Sequence, residues 1–386
     1  MTDWPRTPIE MLARLVAFDT TSRESNLALI GFVADYLRAI GVEPTLTHDD
    51  DGRKANLFAT LGQGTSGGIV LSGHTDVVPV DGQPWTTDPF SLTEKGTRLH
   101  GRGTCDMKGF VATALALAPE IARRRPRVPI HLALSYDEEV GCVGVGRLIK
   151  QAVKSGVRPK AVIVGEPTGM KVVDAHKGIY AFRTTVTGRE AHSSLTHKGV
   201  NAIAVAADLI GFLGRLAEEL AARADPETGF DPPYTTIQIG TIEGGTALNI
   251  VPRRCAFAWE YRLMPGADED EVPRRFEAYC ESLRPGLRAR AEEAGIETVA
   301  TNRVPGLDPE PGSEAERLAF ALAGTNRAYK VPYGTEAGLF QRAGMATIVC
   351  GPGSIDQAHK PDEFVERAQI EACEAFLRRL VDTCCV

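Results

Sequence analysis

Short, fully apolar runs alternate with helical patterns over much of the chain, and this alternation predicts an α/β domain with a mostly parallel central sheet. The apolar runs have the length of buried strands, and each is followed by a segment with helical spacing of its apolar residues. The predicted strands cover residues 69–72, 130–134, 161–164 and 347–350, and the predicted helices cover residues 8–17, 109–123, 143–154 and 314–323.

The middle third of the chain has a different pattern. Apolar and polar residues alternate in residues 179–186, 235–242 and 255–262, as in half-exposed strands, and residues 296–301 form a last strand. Two long helical patterns, residues 199–222 and 269–283, separate these strands. The order strand, helix, strand, strand, helix, strand predicts a small α+β domain. The predicted division is therefore a first domain in two parts, residues 1–177 and 305–386, with a second domain inserted at residues 178–304.

Composition limits the kind of protein. A chain of 386 residues with 43% hydrophobic and 24% charged residues is typical of a soluble globular protein with two domains. Its net charge of −7 argues against a broad nucleic-acid surface, and no apolar run has the length of a membrane span. The N-terminus carries acid and proline where a signal peptide needs an apolar region. Eight scattered cysteines without a CxxC pair favour a reducing, cytoplasmic location.

Side chains that bind metals follow four predicted strands. Carboxyl ends of parallel strands form one edge of an open α/β sheet, where ligands bind. Two imidazoles with several carboxylates suit zinc or a similar first-row ion, and the excess of carboxylates favours two ions. In strand order these residues are His74 and Asp76, Glu138 and Glu139, Glu166, and His359, with Asp106 before a helix as a further contributor.

Each motif also has a structural alternative when taken alone. The acids Asp137, Glu138 and Glu139 would suit the first turn of a helix, and Glu166 would suit an ordinary loop. The stretch GRGTCDMKG suggests a phosphate loop, but Asp106 replaces a required glycine and no GxxxxGK[ST] motif is present. The joint occurrence of these residues after successive strands favours the metal site.

Seven motifs together resemble the dinuclear zinc amidohydrolase family, which includes succinyl-diaminopimelate desuccinylase, aminoacylases and glutamate carboxypeptidases. The similarity extends over about residues 8–370. It implies a zinc-peptidase-like catalytic domain with an inserted domain for dimerisation and closure. The motifs are SGHTDVVP, GRGTCDMKG, SYDEEVGCVG, GEPTG, GREAHSS, GGTALNIVP and GPGSIDQAHKPDE.

The resemblance implies a role for each polar residue at the sheet edge. Asp76 would orient His74, and Glu138 would be the general base that takes a proton from water and later gives it to the leaving amine. The peptide bond after Asp106 would be cis. The cofactor would be two divalent ions, Zn²⁺ or alternatively Co²⁺. One ion would be held by His74 and Glu166, the other by Glu139 and His359, with Asp106 bridging both.

In the inserted domain the resemblance implies residues that act on the substrate. His192 would stabilise the oxyanion in the site of a partner subunit, which implies a homodimer; exposed edge strands in a small domain favour the same assembly. Asn249 and Arg262 would contact the substrate, with Arg262 binding its α-carboxylate. Gly334 and Thr335 would line the pocket. The alternatives are a turn histidine at position 192 and a structural ion pair at position 262.

The resemblance implies that the reaction is hydrolysis of N2-acetyl-L-ornithine to L-ornithine and acetate. Glu336 is predicted to attract the ammonium group of ornithine, although an acid at the start of a helix is the alternative. Cys105 precedes Asp106, the carboxylate that would bridge the two ions. Its thiol would be either a small apolar side chain or a competing metal ligand. Other N-acyl amino acids and dipeptides are alternative substrates. A non-catalytic binding protein is disfavoured because every metal and base position is filled.

Overall fold

The first helix of the structure, a computed structural model that describes residues 4–385, begins with a capping box. The hydroxyl of Thr7 accepts a hydrogen bond from the backbone N–H of Glu10, whose carboxylate accepts one from the backbone N–H of Thr7. Pro8 follows at the first helical position, where no N–H is needed. The predicted start of this helix is therefore confirmed.

The helices and strands below are numbered in chain order. The helices are α1 (Pro8–Val16), α2 (Leu27–Ala39), α3 (Lys108–Arg124), α4 (Val145–Lys154), α5 (Ala202–Ala221), α6 (Glu271–Arg290), α7 (Glu314–Ala323), α8 (Ala337–Arg342) and α9 (Arg367–Cys385). The strands are β1 (Thr45–His48), β2 (Ala55–Leu61), β3 (Ile69–His74), β4 (Thr93–Lys95), β5 (Arg98–His100), β6 (Ile130–Ser135), β7 (Ala161–Val164), β8 (Val173–His176), β9 (Gly178–Thr187), β10 (Thr236–Gly244), β11 (Arg254–Leu263), β12 (Gly295–Val304), β13 (Tyr329–Val331), β14 (Thr347–Val349) and β15 (Phe364–Glu366).

The chain divides into two units. The first unit contains an eight-stranded sheet in the order β1-β2-β6-β3-β7-β14-β8-β13. Its four central strands, β6, β3, β7 and β14, run parallel, while β1 and β2 are joined to β6 by antiparallel pairing. The predicted α/β class with a mostly parallel centre is confirmed. Of the residues described, this unit comprises residues 4–175, 307–330 and 335–385.

The core of the first unit lies between this sheet and the helices that pack on it. Every residue of β3, β6 and β7 is buried, in keeping with the mainly apolar sequences of these strands. Helices α1 and α9 pack against α3. Helix α9 is absent from the sequence-based prediction although it buries Ile370, Cys373, Leu377 and Leu380 at helical spacing.

The second unit comprises His176–Gly306 and Val331–Gly334. It is built on a four-stranded antiparallel sheet in the order β10-β11-β9-β12, with α5 and α6 packed against it. Residues of β9 alternate between buried and more exposed, which is the pattern that predicted a half-exposed strand. The order β9, α5, β10, β11, α6, β12 agrees with the predicted order of elements. Across residues 4–385, no helix combines the length and apolar character that crossing a membrane requires.

A candidate metal centre at the carboxyl edge of the sheet

Strand register brings the predicted metal-binding residues of the first unit to one edge. In the parallel pairing of β3 with β6, His74 lies opposite Ser135, so the acids that follow Ser135 lie beside the end of β3. In the pairing of β3 with β7, Ser72 lies opposite Val164. Glu166, two residues beyond Val164, therefore lies level with His74.

Asp106 lies between the two histidines of the site. Its Oδ1 is 3.0 Å from His74 Nε2, and its Oδ2 is 3.3 Å from His359 Nε2. His359 Nε2 also lies 3.0 Å from Glu139 Oε2, and His74 Nε2 lies 3.8 Å from Glu166 Oε1. Each oxygen of Asp106 thus faces a different histidine, which is the arrangement expected of a bridging carboxylate. The peptide bond between Asp106 and Met107 is cis, as the resemblance implies.

Burial and like charge perturb the acids of this site. Burial raises the pKa of Glu138 to about 8, and burial together with the charge of Asp106 raises the pKa of Glu139 to about 7. The same two causes raise the pKa of Glu166 well above its ordinary value. Hydrogen bonds with Asp106 and Glu139 raise the pKa of His359 to about 10. The site therefore concentrates more negative charge than its two imidazoles offset.

The acids after β6 lie in a tight loop and not in a helix. Asp137 and Cys142 both have positive φ angles, 55° and 54°, and α4 begins only at Val145. The alternative that these acids belong to the first turn of a helix is therefore wrong. Lys54 Nζ pairs with Asp137 Oδ1 at 2.5 Å, so this first acid of the run is neutralised by a lysine. The thiol of Cys142 donates to Glu138 Oε1 at 3.3 Å.

Asp76 orients His74 by a different route from the predicted one. His74 Nδ1 donates to the main-chain carbonyl of Asp76 at 2.9 Å, whereas the Asp76 carboxylate lies 3.7 Å from that nitrogen. The carboxylate instead accepts the backbone N–H groups of Glu138 and Glu139 at 3.1 and 3.2 Å, and the hydroxyl of Ser22 at 2.8 Å. Because Nδ1 of His74 carries the donated proton, Nε2 is the nitrogen left to act as a ligand.

Glu336 occupies a position that corrects the hypothesis of a substrate ammonium site. Its side chain is fully buried, and its two oxygens accept hydrogen bonds from the hydroxyls of Ser72 and Ser135, the latter at 2.8 Å. Because the Glu336 carboxylate is fully buried, a substrate ammonium group has no exposed surface of this side chain to contact. Since Ser72 lies in β3 and Ser135 ends β6, the carboxylate ties together the two strands that carry His74 and the acidic loop.

The residues present fit a pair of divalent cations. Donor atoms about 2.0–2.2 Å from one ion are separated by roughly 3.3 Å, close to the contacts of Asp106 with His74 and His359. Buried Glu166 Oε1 accepts no hydrogen bond from any residue between positions 4 and 385. Two sets have donor atoms within 4.8 Å of one another, His74 with Asp106 and Glu139, and His74 with Glu138 and Glu166. A buried oxygen that lacks a hydrogen-bond donor in an acid-rich pocket is expected of a side chain that binds a metal ion.

Two predicted substrate-binding residues, His192 and Asn249, lie close together in the second unit. His192 is exposed and caps the short helical turn at Ser193, with its Nδ1 accepting the backbone N–H of Ser194 at 3.2 Å. The backbone N–H of Ser193 donates to the carbonyl of Asn249 at 3.0 Å. The turn position that was the alternative for His192 is thus its local structure.

The remaining predicted pocket residues have distinct local surroundings. Arg262, on β11 of the second unit, pairs with Glu260 through contacts of 3.1 and 3.3 Å. Gly334 has no room for a side chain, because a Cβ there would lie 2.5 Å from Ile179. Thr335, which belongs to the first unit, is buried and accepts the backbone N–H of the first residue of α8.

Two side chains that contact the backbone of the candidate metal ligands were not predicted from the sequence. Glu363 and Arg102 are both buried and form an ion pair at 2.7 Å. Both lie inside motifs used for the resemblance, GPGSIDQAHKPDE and GRGTCDMKG. Neither residue stands out in the sequence, because each lies among other polar and charged residues of its motif.

Comparison with known proteins identifies the family of this chain. The pattern that defines peptidase family M20/M25/M40 matches residues 70–383. The chain belongs to this family. Two relatives described as acetylornithine deacetylase are similar along almost their whole length: that of Myxococcus xanthus is 38% identical over 97% of this chain and 96% of its own, and that of Proteus mirabilis is 35% identical over 98% and 97%.

Solved structures of the M20 family share the fold. A metallo-carboxypeptidase of the family from Sulfolobus solfataricus superposes with a TM-score of 0.77 at 18% identity, over 99% of each chain. The protein is therefore an M20 family hydrolase with the α/β fold of that family, and its candidate metal site lies at the carboxyl edge of the sheet.

Proposed function

We propose that this M20 enzyme hydrolyses N2-acetyl-L-ornithine to L-ornithine and acetate, a step of arginine biosynthesis, using two divalent metal ions, Zn²⁺ or alternatively Co²⁺. The arrangement of Asp106 between His74 and His359 carries the proposal, because it provides a shared carboxylate with one imidazole on each side. Relatives at 33–38% identity along nearly the full chain bear the description acetylornithine deacetylase.

Five residues of the first unit would hold the two ions. His74 and Glu166 would bind one, His359 and Glu139 the other, and Asp106 both. The contacts of His74 with Glu166 and of His359 with Glu139 support this pairing. When bound, the ions polarise the amide carbonyl and lower the pKa of a water molecule.

Glu138 would carry the proton during the reaction. It is buried among the other acids, and this burial raises its pKa, which favours acceptance of a proton by the carboxylate. Its carboxylate would take a proton from the attacking water and deliver it to the amine nitrogen as the C–N bond breaks. The N–H bonds to Asp76 anchor the backbone of Glu138 and Glu139, so the base and the adjacent ligand keep separate orientations.

Five further residues would act on the substrate. Arg262 would bind the α-carboxylate, for which a guanidinium offers two parallel donors. Asn249 would contact the substrate, and His192 would stabilise the developing oxyanion in the site of a partner subunit. Gly334 and Thr335 would line the pocket. The close backbone contact between the His192 turn and Asn249 supports a shared task for these two.

A homodimer in the cytoplasm completes the proposal. Strand β10 is an edge strand of the second unit whose residues from Gly240 onward are exposed, and Ile242 and Leu248 are apolar side chains in this exposed region. An exposed edge strand of this kind can pair with the same strand of a second copy. Sedimentation equilibrium would measure the mass of the assembly and so test the homodimer. All eight cysteines are free thiols, which suits a reducing compartment.

A substrate panel on metal-reconstituted enzyme tests the activity. The panel contains N2-acetyl-L-ornithine, other N-acetyl amino acids, N-succinyl-diaminopimelate and dipeptides, and released amine is measured with and without chelator. We expect the highest kcat/KM for N2-acetyl-L-ornithine and no turnover with chelator. A higher kcat/KM for a dipeptide than for N2-acetyl-L-ornithine would refute the proposed substrate. Turnover that persists in the presence of chelator would refute the metal-dependent mechanism.

A further inference from the structure

A buried ion pair lies directly behind the loop that carries Asp106. Arg102 and Glu363 are each about 1% exposed, and Arg102 Nη1 donates to Glu363 Oε2 at 2.7 Å. The other oxygen of Glu363 accepts the backbone N–H groups of Cys105 and Asp106 at 2.9 and 3.2 Å. Glu363 thus holds the backbone of the proposed bridging ligand with one oxygen and a guanidinium with the other.

The same guanidinium is connected to the loop that carries His359. Arg102 Nη2 donates to Gln83 Oε1 at 2.5 Å, and Gln83 Nε2 donates to the main-chain carbonyl of His359 at 3.0 Å. Arg102 Nη1 also lies 3.3 Å from the carbonyl of Lys360. One continuous set of hydrogen bonds therefore links the backbones of Asp106 and His359, which are 253 positions apart in the chain (359 minus 106).

The loop at His359 needs such an anchor. The His359 side chain is 50% exposed, so packing does not hold it, and its backbone has a positive φ of 61°, which is uncommon for a residue other than glycine. A conformation of this kind persists where surrounding contacts over-determine it. The bonds from Gln83 and Arg102 to this segment supply part of that constraint.

The charge of the pair suits a supporting role beneath an acidic site. A lone carboxylate at position 363 would add to the repulsion around Asp106, whereas Arg102 neutralises it. Stability alone does not call for buried charge here, since apolar residues of similar volume serve a core at least as well. What the ion pair adds is directional hydrogen bonding to the backbones of two proposed ligands.

We propose that Arg102, Glu363 and Gln83 are positioning residues that set the placement of Asp106 relative to His359 and thereby the affinity for the ion these two residues share. The inference rests on the proposed metal-dependent function and assigns to it three residues that bind neither ion nor substrate. Residues that orient metal ligands in this way typically change metal affinity by about 10- to 100-fold when altered.

Four variants test the inference. E363Q removes the charge that pairs with Arg102, R102K keeps the charge but loses the planar donors, and Q83L removes the link to His359 at a partly exposed position. E366Q is the matched control, because Glu366 forms an exposed ion pair with Arg98 three residues further along the same segment. Bound zinc per chain is measured by mass spectrometry, zinc Kd by calorimetry, and kcat at limiting and saturating zinc.

The expected results separate positioning from a merely structural role. E363Q should raise the Kd of the more weakly bound ion by about 10- to 100-fold, R102K and Q83L by several-fold, and E366Q not at all. Excess zinc should restore much of the lost kcat. A lower melting temperature of the metal-free variants with an unchanged Kd would overturn the inference.

Failure of the inference is distinguishable from failure of the proposed function. If the unaltered protein binds two ions and all four variants bind them with the same Kd, the positioning role is refuted and the proposed function stands. If the unaltered protein binds no divalent ion, the proposed function fails and the inference fails with it. Should E363Q not fold, the Kd of Q83L decides, and an unchanged value there overturns the inference.

Discussion

Protonation of a buried histidine, His131, is expected to limit the stability of the protein below neutral pH. His131 lies in β6 with a fully buried side chain, and its Nδ1 is 2.9 Å from the hydroxyl of Thr60. Its Nε2 has no hydrogen-bond partner within residues 4–385, and a Cβ at Gly68 would lie only 2.4 Å from that nitrogen. A second ring proton would therefore be a buried donor without an acceptor.

The size of the effect follows from the change in pKa. Burial lowers the pKa of His131 from 6.5 to about 4. Below pH 6.5 the unfolded chain binds a proton that the folded protein does not, so stability is lost as the pH falls from 6.5 towards 4 and is unaffected above 6.5. The linkage relation gives a loss of about 2 kcal/mol at pH 5 and about 3 kcal/mol at pH 4.

Urea unfolding of the unaltered protein and of His131→Gln measures this loss. Glutamine offers a hydrogen bond to Thr60 without titrating in this range. Between about pH 7.5 and pH 5 the free energy of unfolding of the unaltered protein should fall by about 2 kcal/mol more than that of the variant. His176, whose pKa burial also lowers to about 4, titrates in both proteins and cancels in the difference. Equal losses in the two proteins would refute the reasoning.

Three further predictions concern the candidate site. Glu138→Gln should lower kcat by about 10²- to 10⁴-fold while zinc content stays at two per chain, because the variant loses the proton carrier and no ligand; loss of zinc would instead make Glu138 a ligand. Asp76→Asn keeps the main-chain bond to His74 but has one accepting oxygen for the two backbone N–H groups of Glu138 and Glu139. We therefore expect kcat to fall by about 10-fold with little change in KM. An unchanged kcat would show that these two hydrogen bonds are dispensable. Glu336→Gln should lower kcat/KM for N2-acetyl-L-ornithine and N-acetyl-L-methionine by the same factor, since the carboxylate holds Ser72 and Ser135; a loss confined to the ornithine substrate would contradict its buried position.

Local pattern was sufficient for most elements of the fold. The buried strands β3, β6 and β7 consist mainly of apolar residues, and the strands of the second unit alternate, so each could be predicted from its own residues. The antiparallel strand β2, the short strands β1, β4, β5, β8, β13 and β15, and the helix α9 were not predicted, although α9 shows helical spacing. The motifs identified the family and named the residues that converge at the sheet edge, because several of the motifs combine a strand end with the polar side chains that follow it.

Only the tertiary structure decided what the side chains of that edge do for one another. The carboxylate of Asp76 bonds to the acidic loop and not to the neighbouring histidine, Glu336 ties two strands together, and Glu363 reaches Arg102 from 261 positions away. Periodicity and motif spacing report on contacts within a few residues, whereas these bonds join segments that meet only when the sheet has formed. The amino-acid sequence by itself therefore determined which elements form and which chemical groups are present, and the folded chain determined which atom of each group faces which partner.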